Sequence, residues 1–451
     1  MSDEWNGKSV LVLGLGDTGL SSIRWLAKRG ARVRAADTRE SPPALGAVRE
    51  AHPDLGITLG PFAQALLEGV DTVVASPGLA LREPLLRAAA AGGIEVVGDV
   101  EIFAREVGRL APAPVVVGVT GTNGKSTVTA LAAAMGTAAG RRSIAVGNIG
   151  LPVLDALGEG ADFYAVELSS YQLETTSSLG LAAATMLNLT QDHLDRYGSM
   201  EDYAAAKARI FRHCGTRVLN RDDAWSLGMA AGRTVTFGLD VPADDAAWGL
   251  DAARERLLHG GREILGVDAM AMKGLHNAAN ALAAHALCVS AGLDEAPLAR
   301  AIADFTGLPH RVQLVAEARG VRFFDDSKGT NVGASVAALA GFTAPVVLIA
   351  GGDGKGQDFA PLAPAVKAHA RAVVLIGRDW AQLERALAAT GVRLVREESM
   401  EAAVSTAYSL AHEGDAVLLS PACASLDMFR NYGHRGQVFA AAARALAGGD
   451  A

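Results

Sequence analysis

The residues with the clearest chemistry form a glycine-rich loop that follows the apolar run Val115–Val119. The loop reads Gly121-Thr122-Asn123-Gly124-Lys125-Ser126-Thr127, and a helical stretch, Val128–Ala139, comes after it. Glycine lets backbone N–H groups approach a phosphate, and the start of a helix adds positive potential. Lys125 would then reach the β- and γ-phosphates of a nucleotide, and Ser126 would place its hydroxyl on Mg²⁺.

This loop does not meet the strict pattern GxxxxGK[ST]. The pattern requires glycine at position 119, which is Val119, and Gly118 lies one residue too early. The Gly-Lys-Ser tripeptide at the start of a helix still favours a phosphate-binding loop. On this motif alone, kinases, NTPases and ligases all remain open.

Glu167 ends the apolar run Phe163–Glu167, where a carboxylate is well placed to hold a metal ion beside a phosphate. The alternative role of this residue is to cap the following helix. Further along, Asp192, His193 and Asp195 are spaced to bind a metal ion or to cap a helix. Taken alone, these three residues favour capping.

Lys207 lies in the helical stretch Met200–Phe211, with alanine at positions 204, 205, 206 and 208. By itself, a lysine in such a stretch is most simply a solvated side chain on a helix face. Apolar surroundings would instead favour the neutral amine, because desolvation penalises the ammonium ion.

A second glycine-rich turn, Gly14-Leu15-Gly16-Asp17-Thr18-Gly19, follows the first apolar run of the chain. Asp37 ends the next strand-like run, Arg32–Ala36, at the distance of about 20 residues that the dinucleotide-binding fingerprint requires. Another turn, Ser76-Pro77-Gly78, could close the same crevice. The turn serves any nucleotide diphosphate, because its chemistry is a hydrogen bond from backbone N–H to phosphate. A nicotinamide cofactor and a nucleotide-linked substrate therefore both remain open.

Strand-like apolar runs and alanine-rich helical stretches alternate almost throughout the 451 residues. The alternation predicts an α/β fold with mainly parallel sheets. Two stretches are typical of joints between domains, Gly108–Pro114 and Gly307–His310. The first domain edge is expected slightly before that joint, within the helix around Val100–Glu106, so we expect domains at 1–103, 104–308 and 309–451. The predicted strands include Ser9–Leu13, Val70–Ala75, Val115–Val119, Phe163–Glu167, Pro345–Ala350, Ala372–Ile376 and Ala416–Ser420.

Composition and charge argue against several classes of protein. The formal net charge of −8 disfavours a general nucleic-acid or membrane-surface binder. No apolar run approaches the roughly 20 residues of a membrane helix, and the polar start Met1–Lys8 lacks the features of a secretory signal. Cys214, Cys288 and Cys423 are far apart, so they predict small buried residues rather than disulfides or a zinc site. A cytoplasmic protein is expected.

Together these segments resemble the Mur ligases of peptidoglycan synthesis, and the resemblance covers nearly the whole chain. The loop Gly121–Thr127 is similar to the family's form of the phosphate loop, which accounts for the failed strict pattern. Further segments that resemble the middle of the family are Asn148–Gly150, Glu167–Glu174, Asp192–Tyr197 and Gly274–Asn280. The subgroup that adds D-glutamate is indicated by Gly14–Ser21, Ser76–Leu81 and, most specifically, Ser420–Phe429.

The resemblance implies a Rossmann-like first domain, a P-loop ATPase-like parallel sheet in the second, and a Rossmann-like third domain. It also implies that ATP phosphorylates the carboxylate of UDP-N-acetylmuramoyl-L-alanine, and that the amine of D-glutamate then displaces phosphate. The phosphate and the carboxylate are both anionic. Two Mg²⁺ ions and cationic side chains would therefore screen their approach.

The resemblance implies the following roles for single residues. ATP would contact Gly121, Thr122, Asn123, Gly124, Lys125, Ser126, Thr127, Asn277, Asn280, His310 and Arg311. The uridine-linked substrate would contact Thr18, Asp37, Arg39, Ser76, Gly78 and Asn148. Mg²⁺ would be held by Ser126, Glu167, His193 and a carbamate on Lys207, so Lys125, Glu167, His193 and Lys207 would be catalytic. D-glutamate would contact Lys328, Thr330, Lys355, Ser425 and Tyr432, with Ser425 near a helix start after Ser420.

Two other functions are weighed against this one. A related ligase would use another amino acid or a different acceptor such as folate, and the segment Ser420–Phe429 argues against it. A non-catalytic nucleotide-binding regulator would keep the phosphate loop but need not keep Glu167, His193 and Lys207 together. A monomer that binds neither nucleic acid nor membrane is expected.

Overall fold

The computed structural model of the chain describes residues 4–193 and 196–449, which build three sheets. Residues 9–107 form the first unit. Its strands are β1 (Ser9–Leu13), β2 (Arg32–Asp37), β3 (Gly56–Leu59), β4 (Thr72–Ala75) and β5 (Glu95–Val97), and its helices are α1 (Asp17–Lys28), α2 (Leu45–Ala51), α3 (Pro84–Ala91) and α4 (Asp99–Val107). The strands are all parallel, in the order β3-β2-β1-β4-β5. The glycine turn at residue 14 thus opens at the carboxyl edge of the central strand, where ligands of such sheets bind.

Residues 115–304 form the second unit. Its strands are β6 (Val115–Thr120), β7 (Ser143–Gly147), β8 (Phe163–Glu167), β9 (Leu181–Met186), β10 (Cys214–Asn220), β11 (Thr234–Phe237), β12 (Ala247–Leu250), β13 (Arg256–His259) and β14 (Arg262–Gly266). Its helices are α5 (Lys125–Ala138), α6 (Val153–Ala156), α7 (Ser170–Glu174), α8 (Met200–Ala208), α9 (Ala224–Leu227), α10 (Leu275–Ser290) and α11 (Leu298–Asp304). The sheet order is β14-β13-β12-β11-β10-β9-β6-β8-β7, with only the β12-β13-β14 end antiparallel. β6 is an interior strand between β9 and β8, and the phosphate loop leaves its carboxyl end.

Residues 313–449 form the third unit. Its strands are β15 (Gln313–Ala318), β16 (Val321–Asp325), β17 (Val346–Gly351), β18 (Ala370–Ile376), β19 (Arg393–Arg396) and β20 (Ala416–Leu419). Its helices are α12 (Val332–Ala340), α13 (Leu362–His369), α14 (Trp380–Leu387), α15 (Met400–Leu410) and α16 (Tyr432–Gly449). The order is β15-β16-β20-β17-β18-β19, and only β15 is antiparallel to its neighbour. Strands such as β17 are buried along their whole length, because helices cover both faces of a parallel sheet.

The predicted fold class is confirmed, and most predicted strands are present with small shifts. Ser9–Leu13 and Phe163–Glu167 match residue for residue, and the other predicted strands differ by one or two residues at an end. The helix after the phosphate loop begins three residues earlier than predicted, at Lys125. The long helix predicted to Phe211 ends at Ala208 and continues as a 3₁₀ turn.

The predicted helix start after Ser420 is wrong, because the next helix begins only at Tyr432. The intervening chain pairs with another loop instead: Ala422 has a φ of 56°, and Asp353 and Ala424 form an antiparallel bridge. Cys288 and Cys423 are buried as predicted, whereas Cys214 is only partly buried. No described helix has the length and apolar character needed to span a bilayer.

Candidate active site

A cavity of about 720 Å³ lies where residues of all three units meet, and it contains most of the residues singled out by the sequence. The predicted residues that line it are Gly78, Thr122, Asn123, Gly124, Lys125, Ser126, Thr127, Asn148, Glu167, His193, Lys207, Asn277, Asn280, Arg311, Lys328, Thr330 and Lys355. Gly121, Thr18, Asp37, Arg39, Ser76, His310, Ser425 and Tyr432 do not belong to its lining. Residues from distant parts of the chain therefore share one cleft that is open to solvent on one side.

The phosphate loop is fixed by a neighbouring segment that follows β9. The backbone N–H of Thr122 donates to the Asn188 carbonyl at 2.9 Å, and the hydroxyl of Thr122 accepts from the Thr190 N–H at 3.0 Å. A side chain at Gly121, whose φ is 142°, would come within 3.1 Å of the Leu187 Cβ. Gly124 has a φ of 83°, so the loop needs glycine at both positions.

Lys125 is the first residue of α5, and its ammonium group folds back onto the loop. It donates to the carbonyls of Gly121 at 2.9 Å and Thr122 at 2.7 Å. Loss of solvent lowers the pKa of Lys125 to about 8. Beside it, the Arg311 guanidinium donates to the Ser126 hydroxyl at 2.8 Å. The loop thus holds two cationic groups where anionic phosphates would bind.

Glu167 is almost fully buried at the end of β8, and its two carboxylate oxygens differ. Oε1 accepts a hydrogen bond from the Asn148 amide at 2.7 Å, whereas Oε2 is buried without a hydrogen-bond partner. An unsatisfied buried carboxylate oxygen is costly unless something positive fills the space beside it. The described residues contain no group of three His, Cys, Asp or Glu that could hold a metal ion. A carboxylate, a hydroxyl and phosphate oxygens are nevertheless a donor set that Mg²⁺ accepts, so the residues fit that ion.

Asp192 and His193 do not cap a helix, so the capping expectation is wrong for both. Ser199 caps α8 instead, and Asp192 accepts a hydrogen bond from the Lys355 ammonium at 2.8 Å. His193 has a φ of 56°, and its Nδ1 lies 2.8 Å from the Tyr171 hydroxyl. Burial lowers the pKa of His193 to about 4, which keeps the imidazole neutral at pH 7. Asp195 lies outside the described residues.

Lys207 is 2% exposed, so the picture of a solvated helix lysine is wrong. Its Nζ donates to the Gly121 carbonyl at 2.8 Å, the same carbonyl that accepts from Lys125, and it lies 4.7 Å from the centre of the Tyr203 ring. Burial first, and then the charge of Lys125, lower the pKa of Lys207 well below its usual value. The structure therefore favours a neutral amine at this position.

Asn277 and Asn280 lie on one face of the first turns of α10, as their spacing of three residues requires. The Asn280 amide donates to Asn277 Oδ1 at 3.3 Å, and the Asn277 amide donates to the Lys273 carbonyl at 2.9 Å. A side chain at Gly124 would come within 2.5 Å of Asn280 Oδ1. Both amides thus border the phosphate loop.

The third unit contributes ammonium groups to the cavity. Lys328 lies 3.9 Å from the centre of the Tyr432 ring, and burial lowers its pKa to about 8. Thr330 and Lys355 also line the cavity, whereas the buried Ser425 and the exposed Tyr432 are not part of its lining. The sequence thus identifies Lys328 and Lys355 as cationic groups of the site. It does not distinguish the residues that line the cavity from Ser425 and Tyr432, which do not.

His310 stands next to the cavity with a φ of 63°, and its Nδ1 lies 2.6 Å from Asp325 Oδ2. The neighbouring Asp326 is buried in the cavity wall, and burial raises its pKa to about 7. The sequence assigned no role to either aspartate. Their position at the end of β16, at the carboxyl edge of a parallel sheet, is the signal that could have identified them.

The glycine turn of the first unit is tightly closed and lies beside the opening of the cavity. A side chain at Gly14 would come within 2.6 Å of the Ser76 Cβ. Asp37 accepts from the Leu15 N–H at 2.7 Å and from the Arg39 guanidinium at 2.7 and 2.8 Å. This pairing with Arg39 lowers the pKa of Asp37 to about 2. Thr18 lies in the first turn of α1, so the predicted residues of this unit gather around one turn.

Three family models match the chain. They are "Mur ligase MurD-like, N-terminal domain" over residues 8–98, "Mur ligase middle domain" over residues 119–288 and "Mur ligase, glutamate ligase domain" over residues 310–423. The chain is 56% identical to a UDP-N-acetylmuramoylalanine--D-glutamate ligase of Methylobacillus flagellatus over 96% of both chains. It is 52% identical to the ligase of the same name from Nitrosospira multiformis, over 98% of this chain and 96% of that one.

Solved structures share the fold at lower identity. A UDP-N-acetylmuramate-alanine ligase from Thermotoga maritima superposes with a TM-score of 0.61 at 20% identity, over 97% of this chain and 99% of that one. A pseudomurein peptide ligase type C from Methanothermus fervidus has a TM-score of 0.58 at 17% identity, over 92% and 96% of the two chains. These likenesses extend to the three-unit architecture.

Proposed function

The chain belongs to the Mur ligase family, and from that premise we propose how its central cavity performs the family's reaction. It is an ATP-dependent ligase of peptidoglycan precursor synthesis that adds D-glutamate to UDP-N-acetylmuramoyl-L-alanine. The observation that carries the assignment to this cavity is that it joins the phosphate loop, Glu167 and the ammonium groups of Lys328 and Lys355. These are the groups needed for a triphosphate, a metal ion and an incoming dicarboxylate.

The first step activates the substrate carboxylate. A carboxylate oxygen attacks the γ-phosphorus of ATP, ADP leaves, and an acyl phosphate forms. Lys125 exchanges its two loop carbonyls for the β- and γ-phosphates, and Arg311 moves from Ser126 to the transferring phosphate. His310, oriented by Asp325, supports that phosphate from the other side. Positioning and charge stabilisation account for the acceleration.

Mg²⁺, which this family requires, would supply positive charge that offsets the charges of the phosphate and the carboxylate. Ser126 and Glu167 are proposed to hold one ion, and His193 with a carbamate on Lys207 a second. The Lys207 nitrogen bonds to the carbon of CO₂ and releases one proton to water, leaving an anion with two oxygens. Burial of Lys207 supports this proposal, because only the neutral amine reacts with CO₂.

The second step forms the amide. The amine of D-glutamate attacks the acyl carbon, loses a proton, and phosphate leaves. Lys328, Thr330 and Lys355 hold the carboxylates of D-glutamate, with Tyr432 under the Lys328 ammonium and Ser425 at the outer end. Lys355 must give up Asp192 to take a carboxylate, so the amino acid replaces one anionic partner by another.

The uridine diphosphate part of the acceptor is proposed to lie on the first glycine turn. Thr18 and Ser76 border the phosphates, Asp37 and Arg39 face the nucleoside, and Gly78 and Asn148 lead from the turn into the cavity. At the other end of the cavity, Asn277 and Asn280 contact the adenine of ATP, while Gly121, Thr122, Asn123, Gly124 and Thr127 surround its phosphates.

The proposed domain limits are 1–103, 104–308 and 309–451, with α4 crossing the first of them. The proposed state is a cytoplasmic monomer.

A phosphate-release assay tests the function. Purified full-length protein with ATP and Mg²⁺ should release phosphate only when both UDP-N-acetylmuramoyl-L-alanine and D-glutamate are present. L-glutamate, other amino acids and a folate acceptor should give background rates, as should Lys125→Ala with all substrates. Phosphate release with another amino acid or acceptor would overturn the substrate assignment.

Calorimetry on the full-length chain tests the first domain. Titration with the UDP-linked substrate should release or absorb heat, and titration with NAD should not. Binding of NAD without binding of UDP would overturn the nucleotide assignment.

A further inference from the structure

Asn331 stands where the third unit meets the phosphate loop, and its side chain has two partners. Its Oδ1 accepts from the Ala334 N–H at 2.9 Å and so caps α12. Its Nδ2 donates to Asn123 Oδ1, at the tip of the phosphate loop, at 3.1 Å. The residue is 4% exposed, so its amide is largely removed from water while both bonds are partly buried.

Asn123 is itself held from the opposite side by Asn188. The Asn123 N–H donates to Asn188 Oδ1 at 2.8 Å, and the Asn188 amide donates back to the Asn123 carbonyl at 3.1 Å. This closed pair of bonds imitates a rung of a β-sheet. From this fixed backbone, the side chain of Asn123 donates to the Thr190 hydroxyl at 3.4 Å through Nδ2 and turns its Oδ1 to the third unit.

The start of α12 also adjoins both parts of the proposed amino-acid site. Thr330 immediately precedes Asn331 in the chain, and Lys328 lies three residues before it. The N–H of Val332 donates to Gln357 Oε1 at 3.0 Å, and the Gln357 amide donates to the Gly354 carbonyl at 2.9 Å, beside Lys355. One helix start therefore connects the two cationic sides of the amino-acid site.

The helix start approaches the second unit closely. A side chain at Gly333 would come within 3.0 Å of the Thr190 hydroxyl and 3.3 Å of the Asn123 amide nitrogen. A small displacement of the loop tip must therefore be transmitted to the helix start or break the amide contact.

We infer that Asn331 is a positioning residue that couples the phosphate loop to the amino-acid site through the Asn188–Asn123–Asn331 amides. When nucleotide fixes the loop tip, Asn123 holds the start of α12 so that Lys328, Thr330 and Lys355 face the acyl phosphate. The inference rests on the proposed function and adds to it the route by which ATP prepares the site for D-glutamate. Such coupling is reciprocal between the two ligands.

The test uses Asn331→Ser in the full-length enzyme. Serine still caps α12, because its hydroxyl can accept from the Ala334 N–H, but it is too short to reach Asn123. We expect the KM for D-glutamate to rise about fivefold, the effect of one neutral hydrogen bond. The KM for the UDP-linked substrate should stay at its wild-type value, and the melting temperature should fall less than in Asn331→Ala, because the cap is kept. A merely structural defect would instead lower kcat through loss of active enzyme and leave KM unchanged.

Two further variants separate the alternatives. Asn331→Ala should raise the KM for D-glutamate as much as serine does while also lowering the melting temperature, because it removes the cap. Asn123→Ala combined with Asn331→Ser should raise that KM no more than the larger single change. Additive effects, or a wild-type KM for D-glutamate in Asn331→Ser, would overturn the coupling. Wild-type phosphate release that does not depend on D-glutamate would instead overturn the proposed function, so the two failures are distinguishable.

Discussion

The joint between the first and second units is largely apolar, whereas the joint between the second and third units is made by polar contacts. Between the first and second units, one hydrophobic cluster continues across the joint, from Trp5 and Phe103 to Tyr164 and Phe211. The rings of Phe103 and Tyr164 meet edge to face at 5.3 Å. Polar contacts reinforce this core, because Glu101 accepts from the N–H groups of residues 177 and 178 at 2.7 and 3.0 Å.

Between the second and third units, the contacts we describe are polar. Arg311 meets Ser126, Lys355 meets Asp192, and Asn331 meets Asn123. Among the described residues, no hydrophobic cluster spans this joint, because the clusters of the third unit contain only its own side chains.

The difference indicates that the apolar joint contributes mainly to stability and the polar joint mainly to chemistry. Burial of apolar surface is non-directional and favours one tight arrangement, whereas ion pairs and amide contacts can be exchanged for contacts to ligands. The first joint therefore holds the unit that carries the first glycine turn against the unit that carries the phosphate loop. The second joint is made from groups that we propose to bind the substrates, so we expect substrate binding to exchange its contacts.

The largest expected effect is on the ligation rate, and it concerns Lys207 in the cavity. Lys207→Ala should lose at least about 10³-fold in ligation rate while remaining folded, because the proposed carbamate is lost. Lys207→Arg should be equally inactive despite its charge, since a guanidinium forms no carbamate. Acetate added to Lys207→Ala should restore part of the rate by supplying an anion. Wild-type turnover in Lys207→Arg in CO₂-depleted buffer would rule the carbamate out.

The next effect concerns stability and the apolar joint. Phe103→Ala should lower the free energy of unfolding by about 3–5 kcal/mol, because it leaves a cavity in a core that both units share. The KM values of the molecules that remain folded should stay unchanged. Denaturant unfolding followed by phosphate-release assays on the folded fraction measures both. If Phe103→Ala changes the KM for D-glutamate instead, the separation of the joints is wrong.

The ion pair of the polar joint comes third. Lys355→Ala should raise the KM for D-glutamate about 10- to 100-fold, because a charge-assisted hydrogen bond to a carboxylate is lost. The KM for ATP should change far less. Steady-state kinetics with each substrate varied in turn provide the comparison, and equal increases in both values would place Lys355 outside the amino-acid site.

A matched ion pair on the apolar joint gives the smallest effect. Arg24 and Asp155 lie 2.9 Å apart across that joint, nearly the same distance as Lys355 and Asp192, but the Arg24 side chain is 48% exposed. Arg24→Ala should therefore change the unfolding free energy by no more than about 1 kcal/mol and leave every KM unchanged. A loss of D-glutamate binding in this variant would show that the first joint also controls the amino-acid site.

Much of the fold followed from the sequence, because buried parallel strands leave continuous apolar runs. Ser9–Leu13 and Phe163–Glu167 were predictable to the residue. The failure near Ser420 has a physical reason: that segment is irregular because it pairs with the loop around Asp353, and local propensity carries no information about such a partner.

Some residues of the candidate site were likewise predictable from their neighbours in the chain, and others were not. Lys125 was identifiable from its neighbours in the chain, since a phosphate loop is a local structure. Asp192 was expected to cap a helix, and its contact with Lys355 joins residues 163 positions apart. Lys207 was expected to be solvated when judged alone, because its helix shows only that Tyr203 lies one turn away, and not that the Gly121 carbonyl, 86 positions earlier, accepts its hydrogen bond.

The sequence by itself determined the order of strands and helices, the phosphate loop and the glycine turn, because these depend on residues that are neighbours in the chain. Only the tertiary structure decided which charges face each other: Lys207 beside Lys125, Asp192 beside Lys355, and Asn123 beside Asn331. The physical reason is that burial and electrostatic pairing depend on distances in space. Those distances are set by how three sheets pack, and two separate segments of a chain do not reveal them.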